Sequence, residues 1–205
     1  MKITRIGHSG FLIELLQLNL VFDYFTDKAG VMTQEIFSGR KTCVFVSHNH
    51  GDHFNPQIFK WAGVGDVSYV LDTECKTPEM ANIHKLEVGR SLDLPEYDVS
   101  VKAFGSTDEG LSYLVKTQGT VIFHAGDLNS WYWEDEKTPE ELESSEGEYL
   151  SIIKELPVEE IDVAFIPEDP RLGRHADRAV KLFEKLLRPG RIIPMHFPGQ
   201  DGEIC

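Results

Sequence analysis

The sequence predicts an α/β fold in which mixed β-sheets are covered by helices, in a single domain that spans residues 1–205. Its first two thirds consist of short apolar runs separated by Gly, Pro and Asp turns, as expected for strands. Its last third alternates such runs with stretches that carry helix start signals. A chain of 205 residues with 41% hydrophobic content is long enough to bury one core.

The predicted strands are the apolar runs that end in turn residues. Residues 1–7 and 10–25 predict a first strand and a hairpin-like pair that turns near Gln17–Asn19. The run TCVFVS, residues 42–47, is continuously apolar, which is typical of a strand buried on both faces. The other predicted strands lie in DVSYVL (66–71), SLDLPEYDVSVKAF (91–104), LSYLVKT (111–117), TVIFHAG (120–126), DVAFIP (162–167) and RIIPMHF (191–197).

Three helices are predicted from their boundaries. PQIFKWAG, residues 56–63, begins with proline and ends with glycine, the usual asymmetry of helix ends. Residues 138–156 open with the Thr138–Pro139 start signal, and residues 175–187 form the third predicted helix. Helices thus enter mainly after the strand-rich part, as in a sheet that is covered by helices.

Charge and hydropathy exclude several classes of partner. The formal net charge of −14 repels nucleic acids, so we expect a small-molecule substrate and no nucleic acid. A small phosphorylated molecule stays compatible, because a bound cation inverts the local field. No apolar run approaches the roughly 20 residues of a membrane span, and the opening MKITRIGHSGF lacks the features of a signal peptide. We therefore expect a cytoplasmic protein without a membrane partner, and a homo-oligomer is left open.

Side chains that can bind a metal follow four of the apolar runs. The run CVFVS leads into HNHGDH, residues 48–53, and later runs lead into Asp127, Asp169 and His196. Because ligand sites form beyond the carboxyl ends of strands, these ends predict one polar pocket.

The spacing within HNHGDH is suited to metal ligation. His48 and His50 are two positions apart, so in an extended segment both point to one side. Gly51 allows a sharp turn, after which Asp52 and His53 can approach a second position. Imidazole and carboxylate together favour Zn²⁺, Mn²⁺ or Fe²⁺ over Ca²⁺ or Mg²⁺. The pattern predicts one or two divalent ions as cofactors.

HNHGDH resembles the H-x-H-x-D-H signature of the metallo-β-lactamase superfamily. VFDYF, HAGD and IIPMHF resemble, in order, the family's early-aspartate, bridging-aspartate and final-histidine motifs. The opening IGHSGFLIE further resembles the subgroup of small metal-dependent hydrolases related to ascorbate-phosphate lactonase. The resemblance covers Ile6 to Phe197. It implies a four-layer αββα sandwich, with two mixed β-sheets packed face to face and helices on the outer faces.

The resemblance also implies ligand roles. His48 and His50 would hold a first metal, a second would be held by Asp52, His53 and His196, and Asp127 would bridge the two. Asp23 would orient the histidine-rich loop from behind the ligands. A water or hydroxide at the metals would attack a small ester, lactone or phosphodiester, with Asp52 as the catalytic carboxylate that holds the water and passes protons.

One departure from the family pattern concerns the first metal. The family supplies a third histidine from the segment that reads AFGSTDEG here, where Ser106, Thr107 and Asp108 stand instead. Asp108 is an alternative ligand that would favour Mn²⁺ or Fe²⁺. Otherwise the first site is weak and one ion is held tightly. An alternative function follows, a non-catalytic metal-dependent sensor or binding module. A di-iron oxygen-reducing protein would carry glutamate where this chain has His50, and is disfavoured.

Residues that flank the motifs have two readings each. His8, in GHSGF, has by the same resemblance a substrate or supporting role near the pocket, and the alternative is a capped core histidine. Arg171, in PEDPRLG, could bind a substrate phosphate or carboxylate, or could form a pair with Asp169 that fixes the loop. NSWYW, residues 129–133, could supply an aromatic pocket wall or anchors of the core.

Overall fold

The computed structural model describes residues 1–157, 160–197 and 201–204. The chain divides into two compact units. Unit 1 comprises residues 1–86 and 94–97 together with the described residues 201–204, and unit 2 comprises residues 87–93 and the described part of 98–197. The single domain stays a prediction. Among the described residues, no helix has the length and apolar character that a bilayer crossing requires.

Strands account for most of the regular structure. In chain order they are β1 (Lys2–Arg5), β2 (Phe11–Glu14), β3 (Leu18–Phe22), β4 (Lys41–Val46), β5 (Val67–Asp72), β6 (Ile83–Leu86), β7 (Ser91–Leu94), β8 (Val99–Phe104), β9 (Ser112–Thr117), β10 (Thr120–His124), β11 (Val163–Pro167), β12 (Arg191–Met195) and β13 (Gly202–Glu203).

The sheet of unit 1 has the order β13-β1-β2-β3-β4-β5-β6. β1, β2 and β3 are antiparallel neighbours, whereas β3 to β6 run parallel. The apolar residues of β4 are fully buried, as expected for a central strand of a parallel sheet. The predicted turn near Gln17–Asn19 is wrong by about two residues, because Leu15 N–H already donates to Leu18 O at 2.8 Å and Asn19 lies within β3. The turn is misplaced in the prediction because Leu16 is apolar and therefore resembles a strand residue, although it is 85% exposed in the turn.

The sheet of unit 2 has the order β12-β11-β10-β9-β8-β7. β8, β9 and β10 are antiparallel, and Gln118 and Gly119 connect the last two with the positive φ angles that a tight hairpin requires. β10, β11 and β12 run parallel, so their carboxyl ends meet at one edge. Both sheets are mixed, which confirms the predicted α/β class.

The α-helices are α1 (Gln34–Phe37), α2 (Pro139–Ile153) and α3 (Arg178–Leu187). α2 begins after Thr138, as the Thr138–Pro139 signal predicts, and the structure adds a capping box between Thr138 and Glu141. α3 begins three residues later than predicted, after a 3-10 segment, Pro170–His175. The stretch Pro56–Gly63 is also a 3-10 helix. The sequence did not indicate α1, β6 or β13, which are short elements of two to four residues.

Candidate metal centre

In unit 1, the candidate residues follow two neighbouring parallel strands. β3 ends before Asp23, and β4 ends before Ser47 and His48. Asp23 N–H donates to Phe45 O at 2.9 Å, and Asp23 has a φ of 42°. Few non-glycine residues adopt such an angle, and those that do are enriched at functional sites. The strand pair therefore fixes Asp23 directly beside the start of the histidine-rich loop.

The Asp23 carboxylate organises this loop. Its Oδ1 accepts from Ser47 N–H at 2.8 Å, and its Oδ2 accepts from Ser47 Oγ at 2.7 Å and from His53 Nδ1 at 2.8 Å. Asp23 and His53 are buried, with exposures of 1% and 0%. These are the contacts that an aspartate needs in order to orient the loop.

The same contacts determine which ring nitrogens can bind a metal. His53 uses Nδ1–H to donate to Asp23, so its lone pair is on Nε2. The Ser47 hydroxyl donates to Asp23, so the Ser47 oxygen accepts from His48 Nδ1–H at 2.9 Å and leaves the His48 lone pair on Nε2 as well. This nitrogen lies 3.0 Å from His50 Nδ1, as expected if both rings face one ion. His48 is buried and His50 is exposed.

A second group in unit 1 contains His8, Asp52 and His53. Each offers one ligand atom, and these atoms lie within 4.8 Å of one another. His8 Nε2 is 3.9 Å from Asp52 Oδ2, and the Asp52 side chain is 53% exposed. A cavity of about 410 Å³ adjoins this group, and it is lined by Gly7, His8, Phe25, Thr26, Lys28, Asp52 and Asp201. A side chain on Gly7, whose φ is 114°, would meet the Phe25 ring at 2.9 Å, so only glycine leaves this wall undisturbed.

In unit 2, Asp127, Asp169 and His196 follow the parallel strands β10, β11 and β12. All three are buried, with exposures of 4%, 1% and 4%. His196 Nδ1 lies 3.1 Å from Asp169 Oδ2, and His196 Nε2 lies 3.2 Å from Asp127 Oδ1. If Nδ1–H donates to Asp169, then the Nε2 lone pair faces a carboxylate oxygen. Two acceptors at this distance require a proton or a cation between them.

Asp169 is held by Arg171 as well as by His196. Arg171 donates to it from the backbone N–H at 2.9 Å, from Nε at 3.0 and 2.9 Å, and from Nη2. Burial alone would raise the pKa of the Asp169 carboxyl, but the Arg171 hydrogen bonds and the charges of Arg171 and His196 hold this pKa below its ordinary value. These contacts are those of an Asp–Arg pair that fixes the loop. The Arg171 side chain is nevertheless 63% exposed, and its guanidinium carbon lies 5.7 Å from the centre of the Trp133 ring.

In the segment that replaces the family's third histidine, Thr107 contacts Asn129, whereas Asp108 is exposed. Thr107 Oγ1 donates to Asn129 O at 2.6 Å and accepts from Asn129 N–H at 2.9 Å. Asp108 is exposed, and its backbone N–H donates to Ser106 Oγ at 3.2 Å. Ligation of a metal by Asp108 therefore stays a prediction. The exposure of the Asp108 side chain does not favour this role.

Reasoning from the sequence did not identify Ser47 or the position of Trp131. Ser47 is the one polar residue at the end of TCVFVS, directly before the histidines, and that position was the available signal. Trp131 has a φ of 43°, and its ring meets His196 edge-on with 5.7 Å between ring centres. The contact joins the residue that follows β12 to a loop 65 residues earlier in the chain, so no local pattern could reveal it.

Mixed sheets with histidines and carboxylates collected at strand ends define an α/β protein that is equipped to bind metal. A family model described as a beta-lactamase superfamily domain matches residues 2–143. The chain belongs to this superfamily, and the predicted metallo-β-lactamase membership is confirmed. Membership of the lactonase-related subgroup stays a prediction.

Individual relatives agree with this assignment. A protein of Alkaliphilus metalliredigens named as a metal-dependent hydrolase is 26% identical over 213 residues, which covers 96% of this chain and 85% of that protein. The solved structure of Igni18, a metallo hydrolase of Ignicoccus hospitalis, matches with a TM-score of 0.62 at 20% identity, over 96% of this chain and 82% of that one. CmlA, a diiron β-hydroxylase of Streptomyces venezuelae, matches with a TM-score of 0.60 at 12% identity, over 96% of this chain and 44% of that one. At these identities the two structures show the fold alone.

Proposed function

We propose that this protein is a metal-dependent hydrolase of a small ester, lactone or phosphodiester. The observation that carries the proposal is the anchoring of three buried histidines. His48, His53 and His196 each have Nδ1 within hydrogen-bond distance of a serine or aspartate oxygen, which leaves Nε2 for a metal. Carboxylate–histidine pairs of this kind are the usual support of metal ligands. The names of the curated relatives point to the same activity.

The donor set fits a divalent transition metal. Unit 1 offers His48, His50, Asp52 and His53, and unit 2 offers Asp127 and His196. Imidazole nitrogens mixed with carboxylate oxygens suit Zn²⁺, Mn²⁺ or Fe²⁺, and the proposal includes one or two such ions. When bound, a metal of this kind lowers the pKa of water and polarises a carbonyl or phosphoryl oxygen.

The surrounding residues divide the remaining work. Asp23 holds the loop, because its carboxylate accepts hydrogen bonds from Ser47 and His53. Asp52 is the proposed catalytic carboxylate, since it is partly exposed, borders the cavity of unit 1 and can exchange protons with water there. His8, 3.9 Å away, can hydrogen-bond to substrate or to Asp52.

The substrate is proposed to be small. A cavity of about 410 Å³ beside His8 and Asp52 falls within the usual size of small-molecule sites, roughly 300–1,000 Å³. The net charge of −14 disfavours nucleic acid as a partner.

A second candidate is a metal-dependent sensor or binding module without turnover. It is favoured by the replacement of the third histidine and by the exposure of Asp108, which together leave the first metal with fewer supporting ligands. A sensor or binding module of this kind would bind metal but would not hydrolyse any substrate.

Elemental analysis of protein purified without chelator, and again after reconstitution with Zn²⁺, Mn²⁺ or Fe²⁺, tests both candidates. We expect one or two ions per chain and turnover on a panel of lactones and phosphodiesters. His53→Ala should lose metal and turnover, whereas the matched control His84→Ala, which changes a half-buried histidine of β6, should keep both. Metal without turnover on any substrate would favour the sensor, and protein that takes up no metal would contradict both candidates.

A further inference from the structure

Three consecutive residues of unit 2 bury polar atoms that have no hydrogen-bond partner among the residues that the structure describes. They are Asn129 Nδ2, Ser130 Oγ and Trp131 Nε1. Asn129 and Ser130 are completely buried, and Trp131 is 8% exposed. A buried donor without an acceptor lowers the folding equilibrium constant by roughly 5- to 150-fold. Three in succession therefore call for a partner beyond the residues that the structure describes.

This segment, residues 129–131, is firmly held. Thr107 Oγ1 bonds to both the N–H and the C=O of Asn129. Asn129 Oδ1 accepts from Ser130 N–H at 2.8 Å, and because only the amide oxygen can accept, the Nδ2 donors point elsewhere. Trp131 is fixed at a φ of 43°, which a bulky residue adopts only when its surroundings impose it. The backbone of the segment and the orientation of the Asn129 amide are thus fixed.

The segment also lies next to the candidate ligands of unit 2. It begins two residues after Asp127, and the Trp131 ring contacts the His196 ring edge-on at 5.7 Å, with 76° between the ring planes. His196 in turn lies 3.2 Å from Asp127. A group held by this segment would therefore lie beside the residues proposed to bind metal.

The chemistry of the donors selects the ligand. Asn129 Nδ2 and Trp131 Nε1 can only donate, and the Ser130 hydroxyl can donate as well. Three donors match the three terminal oxygens of a phosphoryl group better than the one oxygen of a carbonyl or the two of a carboxylate. We propose that Asn129, Ser130 and Trp131 form a donor strip that binds the phosphoryl oxygens of a small phosphate ester. The strip carries no positive charge, so the inference rests on the proposed function, whose metal ions would balance the phosphoryl charge.

Calorimetric titration of metal-loaded protein with inorganic phosphate tests the strip. Trp131→Phe and Ser130→Ala each remove a single donor, and Asn129→Asp keeps the oxygen that accepts from Ser130 while replacing the donor by an acceptor. Each variant should weaken phosphate binding about 10-fold or more, since a hydrogen bond to a charged group is lost. Trp61→Phe makes the same chemical change in the hydrophobic core of unit 1 and should leave the phosphate affinity within about twofold of wild type.

Urea unfolding of metal-free protein separates a binding role from a structural one. Removing a donor that has no partner should leave the folding equilibrium constant of Trp131→Phe and Ser130→Ala equal to, or higher than, that of wild type. A structural role predicts the opposite sign, because a satisfied hydrogen bond would then be lost. A lower folding constant in both variants would overturn the donor strip.

The remaining outcomes are also decisive. Phosphate affinity that is equal in wild type and all three variants overturns the strip, and acetate binding as tight as phosphate binding overturns the phosphoryl preference. Metal-loaded wild type that does not bind phosphate overturns this inference alone. Wild type that takes up no metal overturns the proposed function, and the two failures are therefore distinguishable.

Discussion

The two units present the same chemical device, a buried carboxylate that anchors a histidine, but they build it differently. In unit 1, Asp23 follows β3 and anchors His53 and, through Ser47, also His48, in the seven-residue loop after the neighbouring strand β4. In unit 2, Asp169 comes after β11 and anchors His196, which directly follows the neighbouring strand β12. The two residues of each pair lie 30 and 27 positions apart in the chain, so both contacts depend on the pairing of parallel strands. The comparison shows that sheet register places the carboxylate, whereas the residues of the loop decide whether it supports two histidines, as Asp23 does, or one, as Asp169 does.

The two anchors also differ in their hydrogen-bond donors. Asp23 accepts hydrogen bonds from the backbone N–H and the hydroxyl of Ser47, which lies in the loop that Asp23 organises. Asp169 accepts from the Arg171 guanidinium, which is largely exposed. A change at Asp23 should therefore disturb the interior of unit 1, while part of the Asp169 network can be replaced by water.

The largest effect is expected for Asp23→Ala. It leaves Ser47 N–H, Ser47 Oγ and His53 Nδ1 without their acceptor, at roughly 1–3 kcal/mol each. We expect the free energy of unfolding of the metal-free protein, measured in urea, to fall by about 3 kcal/mol or more.

Asp23→Asn is the matched variant, because it keeps one oxygen that can accept from Ser47 N–H. It should recover part of this loss. A fall of less than about 1 kcal/mol for Asp23→Ala would contradict the anchoring role.

The next largest loss of stability is expected for Asp169→Ala, and comparison with Arg171→Ala separates the contributions of the two residues. Asp169→Ala should lower the free energy of unfolding by about 2–3 kcal/mol, because His196 Nδ1 and the donors of Arg171 lose a buried acceptor. Arg171→Ala should cost about 1 kcal/mol or less, since an ion pair with an exposed partner contributes little. Equal losses in the two variants would show that the anchoring of His196 adds nothing.

The pH dependence of this difference has a defined sign. The pKa of the Asp169 carboxyl is held below its ordinary value, so its stabilisation is complete at neutral pH. That stabilisation is lost as the pH falls through the folded-state pKa. The gap between wild type and Asp169→Ala should therefore narrow only in acid. Unfolding curves at neutral pH and at successively lower pH check this, and a gap that widens in acid would contradict it.

How far the sequence predicts the site depends on whether the residues concerned are close together in the chain. HNHGDH can be recognised because its ligands lie within six residues, and Asp127 and His196 because each follows a largely apolar run. The sequence could not tell which residue of Ser106–Asp108 turns inward, because that depends on contact with Asn129, 22 residues away in the chain from Thr107. The position of Trp131 could not be predicted for the same reason, since its partner His196 comes directly after β12.

The fold shows the same limits. Buried strands such as β4 and β11 are predicted because each contains an uninterrupted apolar run, whereas β6 reads IHKL and is mostly half-buried. The hairpin turn before β3 is misplaced because Leu16 is apolar and yet exposed at the turn. Sequence patterns report burial, and they mislead where an apolar residue is not buried.

A smaller loss of stability is expected for a substitution in unit 2 that lies outside the candidate ligands. Thr138 accepts from Glu141 N–H at 3.3 Å and begins α2 with a capping box. Thr138→Ala should lower the free energy of unfolding by about 1 kcal/mol, the usual worth of such a cap. Metal content, measured on the same preparation, should be unchanged, whereas lost metal would mean that ligand geometry responds to the general stability of unit 2.

The smallest effect on stability is expected for His50→Ala, which separates ligation from anchoring within unit 1. His50 is exposed, unlike the buried His48 and His53, so its removal should change the free energy of unfolding of metal-free protein by about 0.5 kcal/mol or less. Metal affinity should nevertheless fall by about 10-fold or more, because loss of a ligand should cost at least as much as loss of a support. Competition with a coloured chelator measures this affinity. If His50→Ala kept full metal affinity, then its 3.0 Å approach to His48 would be a packing contact, and the first metal position would lack its second histidine.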